Sequence, residues 1–262
     1  MIELLKISGA VSVQDLGRPG RMHEGLAPGG PLVRALLVRA NRAAGNDDGA
    51  AALELSGRIV LRAVAPIVLG LDDGPRELDA GEELAIGSEP RRVAYVAIAG
   101  GLDTPIALGS RSTQLSAGIG ALLRSGDVLG TGVERLSAGA RATEPFDETS
   151  PIRILPGPDL DAFAPAALDA LCATRYRISP QSDRVGTRLG GPALARVDAP
   201  DRSSPMVRGA LEVPTDGLPI VLGPEHPTTG GYPLIAVIAS NDLDRFHAIR
   251  LGGSVRFSRS DR

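Results

Sequence analysis

The chain has 262 residues, a formal net charge of −3, 43% hydrophobic side chains and one cysteine, Cys172. That balance furnishes a core without covalent staples and excludes an internal disulfide or a multi-cysteine zinc site. The acidic surplus argues against a dedicated nucleic-acid binder, which needs a basic surface to neutralise phosphates.

The first residues, Met1 to Gly17, include Glu3 and soon reach glycine and polar positions, so the basic stretch and apolar core of a signal peptide are missing. The longest apolar runs, such as Val93 to Ala99 and Leu234 to Ala239, fall far short of the roughly 18 residues that span a bilayer. A cytoplasmic protein is expected. Lys6 is the only lysine. The chain therefore carries neither a biotinyl-lysine hairpin nor the lysine of a phosphate-binding loop.

A first strand leads into Ser12-Val13-Gln14-Asp15-Leu16-Gly17-Arg18-Pro19-Gly20. Gln14, Asp15 and Arg18 suit the orientation of a polar ligand, and equally an Asx turn closed by an Asp15–Arg18 pair. A helix is expected over residues 31–44: proline stands in its first turn, Leu32, Leu36 and Ala40 form one stripe, and Gly45 terminates it. Short apolar runs bounded by Gly and Pro follow, at Ile59 to Leu61, Ile67 to Leu71, Val93 to Ile98, Ile152 to Leu155, Ile220 to Leu222 and Leu234 to Ile238. Such spacing reads as an all-β barrel or sandwich.

Gly109-Ser110-Arg111-Ser112-Thr113 has the ingredients of an anion-binding nest, or of a glycine turn capped by hydroxyls. Residues 136–150 lack periodicity and read as a linker between an N-terminal lobe, 1–135, and a C-terminal lobe, 151–262. A second helix is expected over about Pro165 to Cys172 with Leu168 and Leu171 inward, and a third starting near Asn241, capped by that residue with Asp242 and Asp244 at its positive end. Ala52-Leu53-Glu54-Leu55 and Ala210-Leu211-Glu212-Val213, each followed by an Ile-Val-Leu run, suggest a duplicated barrel.

Ser182-Asp183-Arg184-Val185-Gly186-Thr187-Arg188 reads as a ligand rim or a solvated strand edge. Glu225-His226-Pro227-Thr228-Thr229-Gly230-Gly231-Tyr232-Pro233 is the most informative segment, because paired hydroxyls and glycines between prolines describe a rigid loop whose amides approach a substrate closely. No Gly-x-Ser-x-Gly elbow or His-Glu-x-x-His helix is present, and the glycines at Gly100-Gly101 open no dinucleotide fingerprint. The scattered histidines are not expected to form a metal site.

Taken in order, Ser12 to Gly20, Ala40-Asn41-Arg42 to Asn46, Ala52-Leu53-Glu54, Gly100-Gly101-Leu102-Asp103, Gly109 to Thr113, Ser182 to Gly186 and Thr228 to Pro233 resemble the KipA / allophanate-hydrolase-subunit-2 family over essentially the whole chain. The resemblance implies a mainly β, cyclophilin-like architecture, with two β-barrel lobes and a few short helices. It implies the C subunit of an ATP-dependent 5-oxoprolinase, which with a KipI-like B subunit activates the lactam of 5-oxoproline and with an A-type, LamB/YcsF-like subunit yields glutamate. ATP is expected to be shared with or held by the partner, with no biotin on this chain. Alternatives within the resemblance are a non-catalytic regulator of a KipI-like kinase inhibitor, and half of a biotin-dependent urea or allophanate carboxyltransferase.

Under the resemblance, Thr228, Thr229, Asp15 and His226 are candidates for catalysis. Gln14, Arg18, Glu54, Arg111, Ser112, Thr113, Ser182, Asp183, Arg184, Arg188, Gly230, Gly231 and Tyr232 are candidates for substrate binding. This chain departs from the family pattern at Leu32-Val33-Arg34, at Ser203-Ser204-Pro205 and at Pro224-Glu225. There the family often has, in turn, an acid near the start of the helix, a Ser-Glu-Gly and an Ala-Asp.

Overall fold

A computed structural model describes residues 1–132, 150–197 and 203–260. They fall into two compact units, Met1–Pro19 with Gly29–Pro145 and Gly20–Pro28 with Phe146–Arg262. The expected linker, 136–150, lies outside the described residues except for Ser150. As expected from the punctuated apolar runs, strands dominate and helices are few and short.

In the first unit β1 (Ile2–Gln14) and β2 (Ala52–Ala63) form a long antiparallel ribbon, registered from Ile2 opposite Ala63 to Gln14 opposite Ala52. One face of it supplies Ile2, Leu4, Val11, Val13, Leu53, Leu55, Ile59 and Leu61 to the core. Midway, Gly9 faces Gly57, and both have positive φ, +110° and +118°. A Cβ on Gly9 would lie 2.0 Å from the Ser56 carbonyl oxygen, and one on Gly57 would lie 2.1 Å from that of Ser8. Only glycine allows the two backbones to cross so closely.

The ribbon joins β3 (Ile67–Leu71), β4 (Gly74–Leu78), β5 (Glu83–Gly87), β6 (Ala94–Ile98) and β7 (Val128–Leu129). Together they make a seven-stranded sheet ordered β4-β3-β6-β2-β1-β7, with β5 also paired to β2. Helix α1 (Arg34–Ala43) buries Leu36, Leu37, Ala40 and Asn41, and Gly45 follows it at φ 75°, as its sequence indicated. The helix starts at Arg34 rather than residue 31. The Leu32 and Val33 amides instead donate to the Glu54 carboxylate at 2.7 Å and the Tyr95 hydroxyl at 3.2 Å, so tertiary acceptors replace the first helical turn.

In the second unit the elements are β8 (Ile152–Pro156), α2 (Ala167–Ala173), β9 (Arg175–Ile178), β10 (Gly186–Gly190), β11 (Ser204–Pro205), β12 (Ala210–Glu212), β13 (Ile220–Leu222), β14 (Thr229–Gly230), β15 (Leu234–Ile238), α3 (Leu243–Ala248) and β16 (Ser254–Arg259). The closed barrel runs β10-β13-β12-β15-β8-β16-β9, and β11 and β14 form a separate two-stranded ribbon. Leu211, Val221, Ile235, Phe246 and Phe257 pack inside, together with Leu168 and Leu171 of α2, which point inward as expected.

The cap expected at Asn241 is replaced. Residues Ser240–Asp242 make a 3₁₀ turn, and Asp242, at the N-cap of α3, gives its carboxylate to Arg153 and Arg245 rather than to helix amides. Charge-assisted bonds outcompete a neutral cap. Burial works to raise the Asp242 pKa, but these arginine bonds outweigh it and hold the carboxyl below its usual range. The two sequence echoes also fold differently: residues 52–61 lie within the single strand β2, whereas 210–222 form the antiparallel pair β12–β13.

Gly70 marks the tightest approach of α1 to the sheet, since a Cβ there would lie 1.9 Å from the Ala40 carbonyl oxygen. Gly70→Ala is expected to lower stability by at least about 1–3 kcal/mol through overpacking against rigid backbone. Urea unfolding of the variant with an unchanged midpoint would contradict the helix–sheet contact.

Candidate functional site

In the first unit the residues expected to bind a ligand are drawn together by Asp15. Its carboxylate accepts hydrogen bonds from the Gly17 amide at 2.8 Å, the Arg111 amide at 2.6 Å, the Ser112 hydroxyl at 2.6 Å and the Ser110 hydroxyl. The Asx turn thus forms, and the anion held by the Gly109–Thr113 loop is Asp15 itself.

Arg18 is buried and donates to the carbonyls of Ala107, Ser110 and Ser112 at 2.8, 3.1 and 2.8 Å. Gln14, also buried, donates from its amide nitrogen to Ser12 Oγ and to the Thr113 carbonyl. The Thr113 amide bonds the Val13 carbonyl, and Thr113 is itself buried. The Arg111 guanidinium lies 3.6 Å from Asp103. Glu54 stands apart from this group: its buried carboxylate accepts from Leu32 and Tyr95 and fixes the start of α1. An open cleft of about 610 Å³, lined in part by Met1, Pro66, Ile67, Glu77, Asp79 and Thr131, holds none of the candidate residues.

In the second unit the β11–β14 ribbon sets Ser204 opposite Gly230 and Pro205 opposite Thr229, and the Met206 amide donates to the Thr228 carbonyl at 3.0 Å. Met206 packs on Ala210, Leu222 and Leu234 in a small cluster distinct from the barrel core. Gly230 is not in the positive-φ region; its lack of a side chain leaves room for Met206, whose Cε would lie 2.6 Å from a Cβ there. The side-chain hydroxyls of Thr228 and Thr229 make no hydrogen bond to any described residue, and Thr229, Gly231 and Tyr232 are exposed.

Close by in the chain, the Glu225 carboxylate is buried and accepts from Arg184 Nε at 2.6 Å. His226 is buried, and its Nδ1 donates to the Pro227 carbonyl at 2.8 Å. A carbonyl only accepts, so the neutral ring carries its proton on Nδ1 and keeps the lone pair on Nε2. Burial pushes the His226 pKa below its usual value; the Pro227 bond opposes this and the Arg208 charge adds to it.

Asp183 caps the Val185 and Gly186 amides at 2.9 Å, and the Ser182 hydroxyl accepts from the Arg188 amide at 3.0 Å. These two therefore shape the turn into β10. Arg188 itself is exposed. Motif spacing passes over Glu212, a half-buried carboxyl on β12 that burial raises above its usual pKa while Arg188 pulls it down. Its signal is non-local: only strand register relates it to Arg188.

The carboxyltransferase domain model, subdomains A and B, matches residues 24–259. The chain is 34% identical over 280 residues to the C subunit of the 5-oxoprolinase of Escherichia coli (strain K12), covering 98% of this chain and 90% of that protein. Among solved structures it is similar to TTHA0988, with a TM-score of 0.81 and 32% identity over 98% of this chain, spanning 57% of that longer chain. It is also similar to the urea amidolyase of K. lactis, with a TM-score of 0.87 and 25% identity, of which it spans 18%.

The buried neutral imidazole predicts a pH dependence. Because the folded pKa of His226 lies below the unfolded value, the unfolded chain binds the proton more readily. Its contribution to stability is full above the unfolded pKa, about 6.5, and is lost as pH falls from there through the folded value. His226→Gln is expected to flatten that acid limb. An NMR titration placing the His226 pKa at or above its ordinary value would contradict the geometry.

Proposed function

Because this chain belongs to the carboxyltransferase-domain family, subdomains A and B, we propose that it serves as the C subunit of an ATP-dependent 5-oxoprolinase. The supporting observation is an identity of 34% that runs through 98% of the chain and 90% of a protein bearing that name. The name itself places that relative in a multi-subunit enzyme.

The substrate class is a five-membered lactam carrying a carboxylate. A lactam carbonyl is a poor electrophile, and ATP supplies the phosphoryl group that activates its oxygen. Lys6, the sole lysine, sits exposed on β1 opposite Val60, which supports a nucleotide shared with or held by the partner rather than bound in a phosphate loop of this chain. The nucleotide is therefore assigned to a KipI-like B subunit, and completion of hydrolysis to an A-type subunit.

This chain's part is to bind and polarise the lactam. The side-chain hydroxyls of Thr228 and Thr229, unused by the described residues, hydrogen-bond the carbonyl oxygen as charge develops there. His226, held neutral, offers its Nε2 lone pair as a proton acceptor. Asp15, Arg18, Gln14 and the Gly109–Thr113 loop keep the first unit's loops in place for the partner.

A second reading draws on the TM-score of 0.87 to the urea amidolyase: a carboxyltransferase half that acts on urea or a related amide, with biotin on a separate carrier because this chain lacks a suitable lysine.

Co-expression with B-type and A-type subunits is expected to give a complex that co-elutes and releases glutamate from 5-oxoproline only with ATP, the purified chain alone being inactive. In that complex Thr228→Val or Thr229→Val should lower turnover at least about tenfold, a change of roughly 1.4 kcal/mol or more in the barrier, with thermal midpoint and partner binding unchanged. Separate elution of folded subunits, or hydrolysis by the chain alone, would remove the shared-site reading. Near-normal turnover in both threonine variants at saturating substrate would make the loop structural.

A further inference from the structure

The outer face of the second unit's barrel carries a pair of charged groups that the roles above leave unused. Arg188 on β10 registers with Ile220 on β13, and Ile220 registers with Glu212 on β12. Directly paired residues share a face, and alternate residues face the other way. Thr187, Val221 and Leu211, the next row, are buried on the barrel side, so Arg188, Ile220 and Glu212 project outward together.

The same outward face continues to Leu222, Ala210 and Leu234, which carry Met206 and with it the ribbon that holds Thr229 and Gly230. Ile220 separates the two charged groups. Two strand spacings put their backbones on the order of 10 Å apart, and no ion pair or hydrogen bond joins either side-chain head to a described residue. Three other arginines of this unit are engaged: Arg184 holds Glu225, and Arg153 and Arg245 hold Asp242.

We propose that Arg188 and Glu212 form a recognition site for a small ring bearing a carboxylate and an amide N–H, with Ile220 as its apolar floor. The planar guanidinium takes the carboxylate through parallel N–H donors. The Glu212 carboxylate accepts from the amide N–H across the gap, and the ring lies over Ile220, which is already largely shielded from solvent. The half-burial of Glu212 keeps its carboxyl at the floor, while the exposed Arg188 is free to fold over the ligand. The site deepens the lactam-hydrolase reading, on which the identity of the ring rests, and it places substrate recognition on the face that carries the Thr228–Tyr232 ribbon.

The test is binding to the full-length chain, alone and in complex with its B-type subunit, followed by NMR or calorimetry. Three probes separate the two contacts: 5-oxoproline, 2-pyrrolidinone, which lacks the carboxylate, and cyclopentanecarboxylate, which lacks the amide. Arg188→Ala is expected to weaken 5-oxoproline and cyclopentanecarboxylate at least about tenfold and to leave 2-pyrrolidinone unchanged. Glu212→Ala should weaken 5-oxoproline and 2-pyrrolidinone and spare cyclopentanecarboxylate, with Glu212→Gln and Arg188→Lys as milder, fold-preserving checks.

Absence of 5-oxoproline binding in both forms, or equal binding by wild type and all variants, overturns the site. If the probe pattern holds but the assembled subunits release no glutamate, the site stands and the hydrolase reading falls. If glutamate is released with unchanged KM in Arg188→Ala and Glu212→Ala, the hydrolase reading stands and the site falls.

Discussion

Alternation along a strand is the constraint on which the second unit turns. A closed barrel must fill its interior, and Leu211, Val221 and Phe257 do so. Their strand neighbours are thereby forced outward. Outward-facing apolar residues need a cover, which Met206 and its ribbon supply over Ala210, Leu222 and Leu234. In the same row of positions Ile220, itself buried, has Glu212 and Arg188 to either side. The location of the charged pair thus follows from the β10–β13–β12 register, and a one-residue slip there would move Arg188, Ile220 and Glu212 to the wrong face.

The first unit is governed by a different demand, that buried polar groups find partners. Asp15 accepts two hydroxyls and two amides, Arg18 answers three carbonyls, and Glu54 serves the amide at the start of α1. Asn46 extends the same logic, donating to the Ile98 carbonyl and accepting from the Gly100 amide. These residues look catalytic in sequence because they combine acids, amides and guanidinium groups at short spacing. Their chemistry is spent on loops: each polar side chain stands where backbone outside the sheet ladder needs a donor or an acceptor.

What was legible in the sequence was local. The stripe of α1 and its glycine stop, the inward leucines of α2 and the succession of short strands all follow from periodicity and turn residues. What was not legible required a partner far along the chain. The helix starts at Arg34 because Glu54 and Tyr95 take the preceding amides. Asp242 abandons capping because Arg153 and Arg245 reach it. The loop at Thr228 to Gly231 stands out for glycines that let ligand and backbone meet, yet Gly230 makes room for Met206. Glu212 draws notice only as part of an echo between the halves, since its neighbour Arg188 comes beside it through β13.

The distribution of positive charge links these observations to mechanism. With a single lysine, nearly every cation is an arginine, and arginine's fork serves two ends: it satisfies several acceptors when buried, and it grips carboxylates when exposed. Arg18 is committed to the first end, bonded to three carbonyls, and Arg153 and Arg184 to buried carboxylates. A group so committed moves to a ligand only by leaving a buried acceptor unpaired, which costs about 1–3 kcal/mol or more. Arg188 is under no such constraint, because its backbone is held by Ser182 while its side chain is exposed. Of the arginines that sequence spacing singled out, the one with the least internal work is therefore the one best suited to meet a substrate carboxylate. The proposed assignment of the phosphate chemistry to a partner fits this distribution, since the arginines bonded within this fold are costly to redirect.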